Sequence, residues 1–135
     1  MAQKILIIDD DEGFVLAAGR MLEAAGYEVL EATDAAEARE RLKSERPDLI
    51  LLDVIMPGED GFTFGKALAK DDRFSSIPVV LVTAVAEHPG QMMRAFEMDE
   101  VPSAADILPK SIVHERLLRA VESALGPVGL DAKAG

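Results

Sequence analysis

The chain has 135 residues, 49% hydrophobic and 29% charged, with 25 acids against 14 lysines and arginines, for a net charge of −11. That is room for one globular domain and is too apolar for a disordered chain, while the acidic excess excludes the phosphate-neutralising face that direct nucleic-acid binding needs. With no cysteine and only His88 and His114, disulfides and thiolate or His-rich metal centres are excluded, and any metal falls to oxygen ligands.

Apolar runs and helical periodicity alternate along the chain. "MAQK" leads directly into a β-like run, Lys4 to Ile8, without a signal-peptide core, and no apolar stretch approaches the ~18 residues of a membrane span, so the chain reads as cytoplasmic. A helix follows with Phe14, Val15, Ala18, Met21, Leu22 and Ala25 on one face, ending at Gly26 as the C′ residue. Tyr27 to Ala32 is the second strand. Asp34 is the expected N-cap of the next helix, which stops before Pro47. Leu49 to Leu52 is the third strand, and Phe62 to Lys70 the third helix. Val79 to Val82 is the fourth strand.

A fourth helix is expected between Pro89 and Pro102, with Met92 and Phe96 packed inward and Met93 and Met98 filling gaps. Ile107 to Leu108 is a weak fifth strand. A last helix follows Ser111 as N-cap, turning Val113, Leu117, Ala120, Val121 and Ala124 inward until Gly126 and Pro127. Residues 1–126 thus form one domain, and residues 127–135 a flexible tail or the start of a linker. Alternating strands and helices predict an α/β fold with a parallel sheet covered on both faces, whose ligands bind outside the carboxyl ends of the strands.

That rule gives the acids a place. Asp9 and Asp10 follow the first strand, Asp53 ends the third, Thr83 ends the fourth and Lys110 closely follows the fifth, so all fall on one sheet edge. Singly, each has an ordinary reading: an Asp at a strand end is a turn or cap, a Thr a strand residue, a Lys a surface charge. Together they put three carboxylates, a hydroxyl and an ammonium in one cleft. Like charges raise one another's pKa there, and a hard divalent cation such as Mg²⁺ relieves them. Lys110 and Thr83 offer a charge and a donor to phosphate on Asp53, expected to be the carboxylate closest to both. Asp11 and Glu12 belong instead to the first helix's N-terminus, where negative charge is favoured.

The segments "ILIIDDDE", "DLILLDVIMPGEDGF", "PVVLVTA" and "ADILPK", with the block DxxMPxxDG from Asp53 to Gly61, resemble the receiver domain of two-component response regulators over residues 4–126. The resemblance implies a flavodoxin-like, doubly wound five-stranded parallel sheet in the order 2-1-3-4-5 with five helices. It makes Asp53 the phosphoacceptor for a sensor histidine kinase or phosphotransfer protein. Mg²⁺ would be bound by Asp10, Asp53 and the backbone carbonyl of Ile55, with Asp9 acting through a metal-bound water. Thr83 and Lys110 would contact the phosphoryl group, and Ala84 would leave it room. A receiver of this kind is a conformational switch rather than a turnover enzyme, and it admits a phosphorylation-dependent homodimer.

The chain departs from the family pattern at Ser111, where Pro commonly follows the Lys; at Ile107, in place of the switching aromatic; and at Ser103 and Ala104, in place of a Gly-Ala turn. Ile55 and Val85 occupy positions that tune loss of phosphate, and as apolar residues they cannot orient an attacking water, so slow dephosphorylation is expected. Two other readings are open: a degenerate receiver that binds proteins without phosphate, and a haloacid-dehalogenase-type phosphatase suggested by "IIDDDEGF". The phosphatase requires an acidic pair after Lys110, where the chain has only Glu115, Glu122 and Asp131.

Overall fold

A computed structural model describes residues 2–56, 58, 61–83, 104–110 and 113–125. Its strands are β1 (Lys4–Ile8), β2 (Glu28–Ala32), β3 (Leu49–Asp53), β4 (Val79–Thr83) and β5 (Ala104–Pro109); its helices are α1 (Glu12–Ala24), α2 (Ala35–Ser44), α3 (Gly61–Lys70) and α4 (Val113–Leu125). The strands form one sheet in the order β2-β1-β3-β4-β5. All four pairings are parallel, so every strand ends at the same edge.

Four helices, not the expected five, stand among the described residues. The helix expected between Pro89 and Pro102 falls on residues outside those described, as do Ala84, Val85, His88, Ser103, Ser111 and the tail 127–135. Its basis was thin: a single i, i+4 pair between two prolines, without the repeated apolar spacing that marks the other four.

The helices form where local chemistry directs them. Asp11 caps α1, its side chain accepting from the Phe14 amide at 3.1 Å. Asp34 caps α2 through the Glu37 amide at 2.8 Å, while the Glu37 carboxylate reaches back to the Thr33 amide at 3.1 Å. This is a near relative of the capping box, satisfying one amide that the helix leaves open and the amide just before the cap. α1 closes as expected at Gly26, whose φ of 102° is the left-handed region. There the Gly26 and Tyr27 amides donate to the Glu23 and Leu22 carbonyls at 3.0 Å each, the paired bonds of a Schellman motif.

Because side chains alternate along a strand, each buried strand feeds two cores. Leu6, Ile8, Ile50, Leu52, Val79 and Leu81 face α2 and α3, meeting Ala38, Leu42, Phe64 and Leu68. Ile5, Ile7, Leu49, Leu51, Val80 and Val82 face α1 and α4, meeting Val15, Leu22, Leu117 and Val121. β1, β3 and β4 are buried on both faces, which is why they read as unbroken apolar runs. The result is a stiff three-layer platform, with the carboxyl ends of its central strands held in register. No helix among the described residues is long and apolar enough to cross a membrane.

Gly26→Ala should destabilise the fold by about 1–2 kcal/mol, since a Cβ opposes the left-handed backbone that ends α1. A urea melt reads this directly, and an unchanged midpoint would contradict it.

Candidate functional site

The ends of β1 and β3 lie side by side, because Ile8 pairs with Leu52 in the sheet. Asp9 follows Ile8 and Asp53 follows Leu52, so topology alone brings the two carboxylates together. Both are nearly sealed, Asp9 at 1% and Asp53 at 3% exposure, whereas Asp10 is exposed. Asp9, Asp10 and Asp53 each present an oxygen to a common point, the three atoms lying within 4.8 Å of one another. Thr83 closes β4, one residue beyond Val82, which pairs with Asp53; it is fully buried and pairs with Pro109. Lys110 then enters from the end of β5.

Each carboxylate is held at one oxygen by the backbone that follows it. Asp9 Oδ1 accepts from the Asp11 amide at 2.9 Å, and Asp53 Oδ1 accepts from the Ile55 amide at 3.2 Å. Both are Asx-type contacts that fix the loop after the strand. The second oxygens turn toward Lys110, whose Nζ lies 2.8 Å from Asp9 Oδ2 and 3.5 Å from Asp53 Oδ2. The sequence expectation that Asp53 lies closest to Lys110 is therefore corrected: the ammonium sits nearer Asp9. Its reach from β5 is decided by three-dimensional packing, which no local pattern reports.

α3 is pressed against the same backbone. The Gly61 amide donates to the Val54 carbonyl at 2.8 Å. A Cβ at Gly61 would fall on the Asp53 carbonyl oxygen and 2.8 Å from Val54 Cα. The close packing that needs this glycine shows only when helix and strand meet.

The electrostatics are frustrated. Burial and then the Asp9 charge push the Asp53 carboxyl up from its ordinary 3.8 to about 7, against the opposing pull of Lys110 and the Ile55 amide. Burial draws the Lys110 ammonium down, but its hydrogen bond to Asp9 and the charges of Asp9, Asp53 and Asp11 outweigh this and leave its pKa raised. Fully ionised, three carboxylates against one ammonium leave two negative charges, the amount one divalent cation cancels. The all-oxygen donors and the acid raised by burial and by its neighbour fit a hard divalent ion. A cavity of about 340 Å³, whose lining includes Asp9, Glu12, Leu16 and Glu31, opens beside the cluster. Another, of about 260 Å³, lined by Arg39, Phe64, Asp71 and Arg73 among others, includes none of these acids.

A doubly wound parallel sheet with buried aspartates at its carboxyl edge and a lysine reaching over them defines the phosphoacceptor class of α/β signalling domains. The model of the response regulator receiver domain matches residues 5–122, and the chain belongs to that family. It works on its own aspartate as a switch rather than turning over a substrate.

The chain is 33% identical over 126 residues to Protein PilH of Pseudomonas aeruginosa, covering 90% of this chain and 97% of that one. To the Response regulator PleD of Caulobacter vibrioides it is 39% identical over 123 residues, 91% of this chain but 26% of that protein, so it spans about a quarter of PleD's length. Among solved structures, the chemotaxis response regulator CheY4 of Vibrio cholerae matches with a TM-score of 0.77 at 29% identity, covering 93% of this chain and 100% of that one. A two-component response regulator from Clostridium difficile matches with a TM-score of 0.78 at 28% identity, covering 91% and 95%.

A carboxyl whose pKa rises on folding binds more protons in the native state between its two values, so stability falls as pH rises through that interval. For Asp53 the interval runs from 3.8 to about 7. In chelator, wild type should lose stability across it, and Asp53→Asn should flatten the slope and gain on the order of 1–3 kcal/mol at pH 8. Urea midpoints at several pH values test this, and parallel slopes for the two proteins would contradict it.

Proposed function

We propose that Asp53 is the phosphoacceptor of a cytoplasmic two-component switch, receiving its phosphoryl group from the phosphohistidine of a sensor kinase or phosphotransfer protein. The observation that carries this reading is the placement of Asp53: nearly fully buried, grouped with Asp9 and Asp10, and within 3.5 Å of the Lys110 ammonium. An Asp53 carboxylate oxygen attacks phosphorus, an O–P bond forms, the P–N bond to the donor imidazole breaks, and the imidazole leaves with the bonding pair. The attacking oxygen must be ionised, and with the carboxyl near 7 that condition is met only in part at neutral pH.

Asp9, Asp10, Asp53 and the Ile55 carbonyl would hold Mg²⁺, which when bound supplies the positive charge that keeps Asp53 ionised and screens the incoming phosphoryl oxygens. Lys110 contributes its own charge, drawn from Asp9 toward the new oxygens on Asp53, and Thr83 donates its hydroxyl to one of them. The switch then follows from a shift in an existing equilibrium at the β5 and α4 face, where Lys110 is anchored. Ile55 stands at the mouth of the site with its side chain 54% exposed. It offers no hydrogen bond to an attacking water, which supports a long-lived acyl phosphate.

Intact mass after incubation with acetyl phosphate and Mg²⁺ should show one added phosphoryl group on wild type and none on Asp53→Asn. An unmodified wild type that still binds Mg²⁺ would point to a requirement for a kinase donor, and one that binds no Mg²⁺ to a binding module instead. Ile55→Asn should speed loss of the phosphoryl group several-fold, and an unchanged decay would remove the case for Ile55. Asp10→Asn should abolish Mg²⁺ affinity, whereas Asp11→Asn, a cap, should leave it nearly unchanged; equal losses in a Mg²⁺ titration would refute that division.

A further inference from the structure

The Lys110 ammonium has a third neighbour besides the two carboxylates. It lies 4.7 Å from the centroid of the Phe14 ring, on α1. We infer that Phe14 is a positioning residue for phosphoryl transfer, its ring holding the Lys110 ammonium at the acidic cleft. The inference rests on the reading of Asp53 as phosphoacceptor and adds a residue to that site.

Ammonium and metal compete for the same oxygens. Lys110 is anchored through Asp9 Oδ2 and Asp53 Oδ2, and a divalent cation seeks the same carboxylates while repelling the ammonium. The face of an aromatic ring attracts an organic cation, but a hard metal ion prefers oxygen. The ring is therefore the one of these three contacts that metal binding does not contest. Lys110 is also only 16% exposed, which strengthens a cation–π contact by removing water.

The ring is itself held from the site. Asp9 Oδ1 accepts the Asp11 amide at 2.9 Å, and Asp11 Oδ1 accepts the Phe14 amide at 3.1 Å. The partly buried ring packs against the apolar cluster under α1 and α4. Asp9, Asp11, Phe14 and Lys110 thus close a circuit, in which the residue that pairs with the ammonium also places the ring beneath it. Packing alone would be met by any apolar side chain at position 14; the ammonium over the ring is what an aliphatic residue cannot supply.

The test pairs a spectroscopic and a kinetic reading. By NMR, the ε-methylene protons of Lys110 should show an aromatic ring-current shift in wild type, with and without Mg²⁺. Phe14→Tyr should keep this shift, and Phe14→Leu and Phe14→Met should lose it. At saturating Mg²⁺ the rate of phosphorylation by acetyl phosphate should fall about two- to thirty-fold in the Leu and Met variants and recover in Tyr. In a Lys110→Met background Phe14→Leu should cause no further loss. Absence of the shift in wild type, or an equal loss in both backgrounds, overturns the proposal. A wild type that shows the shift but takes no phosphate supports the contact and overturns the phosphoacceptor reading, and with it the positioning role.

Discussion

Asp9 and Asp53 are two buried carboxylates at the ends of neighbouring strands, and their mutual repulsion is the strain around which the molecule is arranged. Burial first and then the Asp9 charge oppose ionisation of Asp53, and its carboxyl rises to about 7. Lys110 relieves part of the repulsion and, bridging the pair from a third strand, ties β5 to β1 and β3. The remainder is an unmet demand for positive charge. The cluster of Asp9, Asp10 and Asp53 is therefore suited to a divalent cation.

Such strain persists only on a rigid support. The apolar faces of β1, β3 and β4 are filled from both sides, and parallel pairing fixes their ends to within one residue. Asx contacts by Asp9 and Asp53 stiffen the loops that follow, and Gly61 lets α3 close directly onto the backbone after Asp53. A looser loop would let the carboxylates part and relax, and the cation would then have little to relieve.

The same arrangement explains how chemistry at one carboxylate can be felt elsewhere. Lys110 is shared between Asp9, Asp53 and the Phe14 ring, so a change in charge on Asp53 redistributes contacts belonging to α1, β1 and β5 together. Thr83, buried beside Pro109 in the sheet, joins β4 to the same edge. The physical content of a switch here is a cation with several nearly equivalent partners, whose preference changes with the charge of one of them.

Much of this was legible in the chain. Alternating apolar runs and amphipathic segments determined the parallel sheet, because short strands buried on both faces require crossover helices, and that geometry placed Asp9, Asp53, Thr83 and Lys110 at a common edge. The caps Asp11 and Asp34 and the terminator Gly26 were equally plain, since each acts within a few residues of its own position. The helix expected between Pro89 and Pro102 falls on residues outside those described. Tertiary structure alone decided that Lys110 sits nearer Asp9 than Asp53, that its ammonium rests over Phe14, and that Gly61 is needed for close approach. Those contacts join residues distant in the chain, and their separations depend on how helices and strand ends pack. A sequence specifies strand ends through local pattern, but ångström distances between side chains arise only when the layers close.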